Sequence, residues 1–180
     1  MWFAEAKKIY IMPIGRVSGP VISEIEEEIN RAFKKRVEIL EQASLPLDAY
    51  DRNRQQCCST KILEKIGEME SDGMVLGVID VDLYVPGLNF VFGEADPVNG
   101  IAIISITRLK QEFYGEGRDH NLFLRRVVKE AVHEIGHLYG LSHCPDSTCV
   151  MYFSNSIKDT DEKGAEFCEV CRRGEYFLLK

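Results

Sequence analysis

The stretch HEIGHLYGLSH, residues 133–143, holds three of the four histidines of the chain. Because residues four apart lie on one face of an α-helix, His133 and His137 project side by side, at a separation that suits two ligands of one small ion. Glu134 lies about a quarter of the helix circumference further round, so its carboxylate can reach past the ion rather than bind it. The spacing therefore predicts the helical half of a metal site with an acid beside it.

The residues after this helical half supply a third nitrogen ligand. Gly140 is where the helix is expected to end, since glycine adopts the left-handed C-terminal conformation without steric strain. The chain can then double back and bring His143 to the same ion. Three neutral imidazoles with a vacant fourth position are typical of a catalytic zinc site, whereas structural zinc sites are closed.

The same histidines allow two plainer interpretations, ordinary polar surface or a zinc site that serves stability alone. The first accounts poorly for three histidines, a glutamate and a glycine at these offsets. Glu134 beside the open coordination position argues against the second. His120 lies outside the pattern, near the expected start of the helix, and is interpreted as a polar surface residue.

Four cysteines near the C-terminal end can form a second site, and they are Cys144, Cys149, Cys168 and Cys171. The last two lie three apart in the stretch 162–179, which is predicted to be helical, so their thiols share a face. Four thiolates leave no spare position and make a closed, structural zinc site. Two disulfides or inert buried thiols are the alternatives. The adjacent Cys57 and Cys58 cannot easily join either site, and they are given no role.

Around the histidines the motif H-E-x-x-H-x-x-G-x-x-H is complete, and it continues as C-x4-C-x-M, FSNS and C-x2-C. This pattern, over residues 133–171, resembles the archaemetzincins, zinc metalloproteases of the metzincin clan. The resemblance implies the same four-cysteine zinc site and a methionine in a tight turn beneath the catalytic metal. Met151 is placed for that turn, although a lone methionine is more often core filler. Some metzincins use a tyrosine two residues later, where this chain has Phe153; Tyr152 is one position early, and the role is not transferred to it.

The resemblance also implies the fold. We expect an α+β, zincin/metzincin-like architecture with a twisted, mostly parallel five-stranded sheet, an antiparallel edge strand, an active-site helix and a small C-terminal lobe. A length of 180 residues fits one catalytic domain over 1–180. Its N-terminal subdomain, 1–143, would carry the sheet and the active-site helix, and its C-terminal subdomain, 144–180, the methionine turn and the cysteine site. Two zinc ions per chain follow, one catalytic and one structural.

Apolar patterning along the chain predicts five strands and three helices before the cysteine-rich end. The predicted strands are 7–15, 36–42, 74–84, 89–96 and 100–109. The predicted helices are 18–33 with Ser18 as its N-cap, a short one through Ile62, Leu63, Ile66 and Met69, and a long one from Asp119 into the motif. Residues 45–56 are predicted to be a loop.

Composition and charge limit the classes of function. A charged fraction of 28% and a hydrophobic fraction of 45% are typical of a soluble globular protein. The net charge of -7 argues against nucleic-acid binding, zinc-finger-like modules included, because such binding needs a concentrated basic face. No apolar run approaches the roughly 20 residues of a membrane-spanning helix, and the N-terminus has no signal-peptide pattern. We therefore expect a cytoplasmic protein without a membrane partner, in an oligomeric state that the sequence does not predict.

The expected function is zinc-dependent hydrolysis of peptide bonds in a peptide or protein substrate. Zinc held by the three histidines would activate a water, from which Glu134 would accept a proton as general base. An extended substrate would dock along the edge strand near Asn89–Glu94. The alternative is a zinc-stabilised module that binds peptides or proteins with little or no proteolytic activity.

Overall fold

The computed structural model describes residues 8–174, which form eight strands and five α-helices. The strands are β1 (Lys8–Ile14), β2 (Val37–Ile39), β3 (Tyr50–Asp51), β4 (Gln56–Cys58), β5 (Gly73–Ile79), β6 (Leu83–Tyr84), β7 (Gly93–Asp96) and β8 (Ile101–Ser105). The helices are α1 (Gly19–Phe33), α2 (Ser59–Gly67), α3 (His120–Leu138), α4 (Ile157–Glu162) and α5 (Glu169–Arg172). Short 3₁₀ turns lie at Leu47–Ala49, Thr107–Leu109 and Gln111–Tyr114. Four of the five predicted strands and each of the first three predicted helices are present with shifted ends, whereas the predicted strand 74–84 is divided into β5 and β6, which lie in different sheets.

A five-stranded sheet in the order β2-β1-β5-β8-β7 forms the centre of the fold. Its first four strands are parallel, and β7 runs antiparallel to β8, with Gly93 opposite Ile104. The central strand β5 is buried on both faces, as its nearly continuous apolar sequence predicts. The expected α+β fold, with a mostly parallel sheet and an antiparallel edge strand, is confirmed.

Helices cover both faces of this sheet because successive side chains of a strand point in opposite directions. In β1, Ile9 and Ile11 join the core that α1 and α3 share, whereas Met12 and Ile14 join a second core with α2. The long helix α3 is thus held against one face of the sheet. None of the helices within residues 8–174 has both the length and the apolar sequence that crossing a bilayer requires.

The ends of the helices test the capping predictions. Asp119 caps α3, and its carboxylate accepts a hydrogen bond from the backbone N–H of Leu122 at 2.9 Å. Ser18 occupies the N-cap position of α1, but its side chain makes no capping bond. Of the two backbone groups that it could accept from, Pro20 has no N–H and the N–H of Val21 bonds to the carbonyl oxygen of Ser18. Helix α2 ends at Gly67, so Met69 lies beyond it and is half exposed rather than part of its apolar face.

The stretch 45–56, predicted to be a loop, contains a 3₁₀ turn, the strand β3 and the first residue of β4. Together with β6, these two strands form a separate three-stranded sheet in the order β3-β4-β6. The strands are only two or three residues long. That length is too short for hydrophobic alternation to reveal them, so the prediction of a loop was wrong.

The C-terminal stretch 162–179, predicted to be one helix, is interrupted within the described residues. Lys163 follows α4 in an extended conformation, with φ -63° and ψ 152°. Gly164 then donates its backbone N–H to the carbonyl of Thr148 at 3.0 Å instead of continuing the helix. The short helix α5 comes next, and the end of the predicted helix, 175–179, lies outside the described part of the chain.

Candidate functional site

The three histidines predicted as metal ligands come together at the C-terminal end of α3. His133 and His137 lie one helical turn apart, with their Nε2 atoms 3.1 Å from each other. Gly140 has φ +84° and ends the helix as predicted, with its backbone N–H donating to the carbonyl of His137 at 2.8 Å. The chain reverses there and brings back His143, so that one ring nitrogen of each histidine lies within 4.8 Å of the others.

Backbone carbonyls fix the orientation of two of these rings. Nδ1 of His133 lies 2.8 Å from the carbonyl oxygen of Val150, and Nδ1 of His137 lies 2.7 Å from that of Leu141. A carbonyl oxygen only accepts, so each Nδ1 carries the proton and each Nε2 keeps its lone pair free. This is the tautomer that ligation of a metal through Nε2 requires.

Loss of solvation by the surrounding protein favours the neutral form of these imidazoles. It lowers the pKa of His133 well below its ordinary value and that of His137 to about 4, and it also lowers the pKa of His143. The neutral imidazole is the form that binds a metal. Three converging neutral nitrogens at the edge of a cleft fit a zinc ion with its fourth position free.

Glu134 lies beside the histidines and is 5% exposed. Burial raises the pKa of its carboxyl group well above the ordinary value, the neighbouring Glu130 raises it further, and Lys163 opposes both. The side chain packs against Gly93 of β7, where an added Cβ would lie 2.7 Å from Cγ of Glu134. Gly93 is absent from the predicted site, although a glycine inside an expected edge strand is a known sign of close approach.

Met151 lies directly against α3, where the resemblance to metzincins expects it. Its side chain is fully buried, and a Cβ at Gly136 would clash with its Sδ atom. A tight turn holds it, since the backbone N–H of Tyr152 donates to the carbonyl of Cys149, and the carbonyl of Met151 accepts from Cys144, both at 2.9 Å. Gly136, between the two helical histidines, is thus the position that lets the turn approach the helix, and no sequence signal singled it out.

The four cysteines predicted as a second site also come together, with their Sγ atoms within 4.8 Å of one another. The Sγ atoms of Cys144 and Cys168 are 3.8 Å apart, and those of Cys149 and Cys171 are 3.7 Å apart. A disulfide needs about 2.05 Å, so neither pair is bonded and all four are free thiols. The geometry favours a shared metal over two disulfides.

Local structure and burial explain why a cation suits the cysteine cluster. Cys168 is the N-cap of α5 rather than a residue on the face of a long helix, and its Sγ accepts the backbone N–H of Cys171 at 3.5 Å. Burial raises the pKa of Cys144 to about 11 and also raises that of Cys171. Thiolates in this cluster therefore need a compensating cation, and four thiolates are a typical ligand set of structural zinc.

Two cysteines and one histidine, to which the sequence analysis gave no role in either predicted site, lie away from both sites in the structure. Cys57 and Cys58 are buried in β4, which pairs with β6, and neither belongs to a potential metal site among residues 8–174. His120 is exposed at the first position of α3, with its ring tilted against that of Phe123.

A cleft of about 730 Å³ opens over the histidines and Glu134, and it is lined by residues 88–95, the end of α3 and residues 153–155. The predicted docking strand Asn89–Glu94 is only partly a strand, because β7 begins at Gly93 and the residues before it line the cleft as a loop. That loop is held by an isolated antiparallel bridge between Val91 and Leu83 and by long-range side-chain hydrogen bonds. Arg54 donates to the carbonyl of Asn89 at 2.9 Å, for example.

Phe153 stands at the rim of this cleft, where some metzincins have a tyrosine. Its ring lies 4.7 Å from that of His143, and the residue is half exposed. The side chain offers an apolar surface and no hydrogen-bond donor. Tyr152 is not among the residues that line the cleft.

Comparison with known proteins extends over nearly all of the described chain. The sequence matches the profile of peptidase family M54 over residues 8–174. It is 45% identical over 175 residues to the archaemetzincin of Pyrococcus furiosus, covering 92% of this chain and 90% of the relative. It is 42% identical over 164 residues to the archaemetzincin of Methanocaldococcus jannaschii, covering 91% and 90%.

Solved structures show the same likeness in three dimensions. A zinc-dependent peptidase from Methanocorpusculum labreanum superimposes with a TM-score of 0.84 at 33% identity, covering 92% of this chain and 98% of that one. The archaemetzincin of Archaeoglobus fulgidus, crystallised with malonate, gives a TM-score of 0.81 at 39% identity, with the same two coverages of 92% and 98%. The region that matches the family profile, 8–174, includes both the histidine and the cysteine clusters.

Proposed function

The chain belongs to peptidase family M54 and is a zinc metallopeptidase, and from this premise we propose that it cleaves peptide bonds with Glu134 as general base. We infer that His133, His137 and His143 hold the catalytic zinc. One observation supports both assignments. A ring nitrogen of each histidine lies within 4.8 Å of the others, and Glu134 lines the same cleft beside them.

Glu134 is suited to moving a proton. A zinc ion held by His133, His137 and His143 would supply a water of lowered pKa and a positive charge for the carbonyl oxygen of the substrate. Burial raises the pKa of Glu134, which makes its carboxylate a stronger base than that of an exposed glutamate. The carboxylate accepts a proton from the attacking water and then donates it to the departing amine.

The free edge of β7 is suited to holding an extended substrate. Strand β7 is the last in the sheet, so one edge pairs with β8 and the other has no strand partner among residues 8–174. Gly93, Glu94 and Ala95 of this strand line the cleft. A peptide that adds to such an edge gains main-chain hydrogen bonds, while its side chains enter neighbouring pockets. The substrates of a peptidase are peptides or proteins, and this mode would accept either.

A second, structural zinc on the four cysteines would give two ions per chain. Support comes from the convergence of the thiols of Cys144, Cys149, Cys168 and Cys171 and from the raised pKa of Cys144 and Cys171. Because Cys144 directly follows His143, this zinc would hold the loop that carries the third histidine ligand in place. In this proposal 1–143 builds the sheet and the catalytic helix, and 144–180 forms a small subdomain that completes the site.

We also propose a cytoplasmic location. All six cysteines of the chain are free thiols. Thiols persist in reducing compartments, whereas secreted proteins tend to carry disulfides. Cell fractionation with an antibody against the chain tests this, and recovery of the protein outside the cytoplasm would contradict it.

Replacement of Glu134 tests the general-base assignment. Cleavage of a mixed peptide pool by the Glu134→Ala variant is expected to fall by about 100- to 10,000-fold, the usual contribution of acid–base catalysis. Zinc content, measured by atomic absorption, is expected to equal that of the parent, because Glu134 is not a ligand in this proposal. The isosteric Glu134→Gln variant, which preserves the contact with Gly93, controls for packing. Unchanged cleavage would reject the role of Glu134.

A further inference from the structure

Glu130 is a charged residue of the cleft that the proposed catalysis does not use. It lies one helical turn before Glu134 on α3, lines the cleft and is only 3% exposed. Its Oε1 atom lies 3.0 Å from Nζ of Lys163 and accepts a hydrogen bond from Oγ1 of Thr160 at 3.1 Å. No residue in 8–174 donates a hydrogen bond to its other oxygen, Oε2. One carboxylate oxygen is therefore anchored, and the other is available to a ligand.

Lys163 orients this carboxylate without facing the cleft. Its side chain is fully buried and is not part of the cleft lining. The ammonium group of Lys163 lies next to Oε1 of Glu130. The other carboxylate oxygen, Oε2, is therefore the negative end of this ion pair and can accept a hydrogen bond from a ligand. The anchored carboxylate has already lost its rotational freedom, so a ligand that binds Oε2 does not incur that entropic cost again.

The charged side chains that line the cleft favour basic over acidic substrate side chains. No lysine or arginine within the described chain lines the cleft, whereas three glutamates, Glu94, Glu130 and Glu134, do. Ser154 also lines it, and its buried Oγ atom has no hydrogen-bond partner among residues 8–174. The end of the Glu130–Lys163 ion pair that faces the cleft is the carboxylate oxygen Oε2, so an acidic side chain beside it would be repelled, whereas a basic one would find an acceptor.

We propose that Glu130 is a specificity-determining residue, which selects substrates with a lysine or arginine side chain next to the scissile bond. This inference rests on the proposed peptidase function and names its substrate class. The ammonium or guanidinium group donates to Oε2 of Glu130, and Oγ of Ser154 is a second acceptor. Apolar side chains of the same length lose these charge-assisted bonds, and acidic ones are repelled.

Matched peptides that differ at one position test the proposal. They carry lysine, norleucine or glutamate in turn at each position next to the cleaved bond, and kcat/KM is measured with the zinc-loaded protein. The parent is expected to prefer lysine to norleucine by about tenfold at one position, the range of a hydrogen bond to a charged group, and to cleave the glutamate peptide slowest. In Glu130→Gln, which preserves the size of the side chain, the lysine-to-norleucine ratio is expected to fall to about one.

Two further variants separate selectivity from folding. Glu130→Gln leaves Lys163 as an unpaired buried charge, which is destabilising, so the charge-balanced double variant Glu130→Gln/Lys163→Met is measured as well. A partly unfolded variant cleaves both peptides more slowly, and the ratio is unaffected. Glu94→Gln is the matched control, because Glu94 also lines the cleft but its carboxylate already accepts from Ser59 and Thr60. Its ratio is expected to equal that of the parent.

The outcomes for selectivity and for catalysis are distinguishable. The role of Glu130 is overturned if the lysine-to-norleucine ratio of kcat/KM for the parent is one or less at each position. It is also overturned if Glu130→Gln leaves that ratio unchanged. If the parent cleaves no peptide, the proposed peptidase function is rejected but the role of Glu130 in selectivity is not. That role is then tested by measuring peptide binding to the Glu134→Ala protein. Fluorescence anisotropy with labelled peptides is then expected to show about tenfold tighter binding of the lysine peptide, and equal binding overturns the proposal.

Discussion

The histidine and cysteine clusters adjoin in the sequence, at His143 and Cys144, but they differ in the number and exposure of their donors. The histidine cluster has three donors, lies in a cleft and ends in an exposed residue, whereas the cysteine cluster has four donors, of which three are buried. Three donors leave a coordination position for a reacting molecule, and four enclose the ion. The comparison therefore favours chemistry at the first cluster and cross-linking at the second.

The two clusters also differ in what supports them. Two of the three histidines lie on α3, a helix of 19 residues that packs against the sheet, so their geometry exists before a metal binds. The cysteines come from a loop and from α5, a helix of four residues. Such short elements bury little apolar surface, and their order depends on the metal that joins them. Loss of metal should therefore have different consequences at the two clusters. At the histidine cluster it should mainly lower activity, and at the cysteine cluster it should mainly lower stability.

The largest expected effect is that of His137→Ala on turnover. Removal of one of three nitrogen ligands should abolish peptide cleavage and lower zinc content from two ions per chain to one. Thermal unfolding should change little, because α3 is held by its apolar contacts with the sheet. Atomic absorption, peptide turnover and circular dichroism measure the three quantities. A variant that still carries two zinc ions would remove His137 from the ligand set.

The next largest effect is that of Cys168→Ser on stability. Loss of one thiolate should release one zinc ion and lower the free energy of unfolding by about 3 kcal/mol or more, since the loop that carries His143 loses its cross-link. Activity should fall as a consequence. Cys57→Ser is the matched control, because it makes the same substitution at a cysteine that belongs to neither cluster and is more buried than Cys168. Equal zinc content in the parent and both variants would contradict the four-thiolate site.

Features that depend on local spacing could be predicted from the sequence. The offset between His133 and His137 determines that they share a helix face, and Gly140 ends that helix whatever lies around it. The long apolar strands were recognisable for the same reason, since each displays its pattern within a few residues. The convergence of the histidines followed from these local rules.

Contacts between distant parts of the chain were not predictable in this way. The predicted C-terminal helix was wrong because Lys163 turns inward to pair with Glu130, more than 30 residues earlier, and Gly164 bonds to Thr148. No periodicity reports such a pairing. The contact between Gly93 and Glu134 is of the same kind, since only the folded chain places an edge strand against a catalytic helix.

The smallest expected effect is that of Gly93→Ala, and it concerns the histidine cluster alone. A methyl group at Gly93 would lie 2.7 Å from Cγ of Glu134, so the glutamate must shift while the histidines remain in place. We expect kcat to fall by about 10- to 100-fold, because a displacement of about 1 Å is enough for such losses, with both zinc ions retained. Gly117→Ala is the matched control, since an added Cβ there meets no atom within 4 Å. Equal kcat in the two variants would show that the position of Glu134 does not depend on the edge strand.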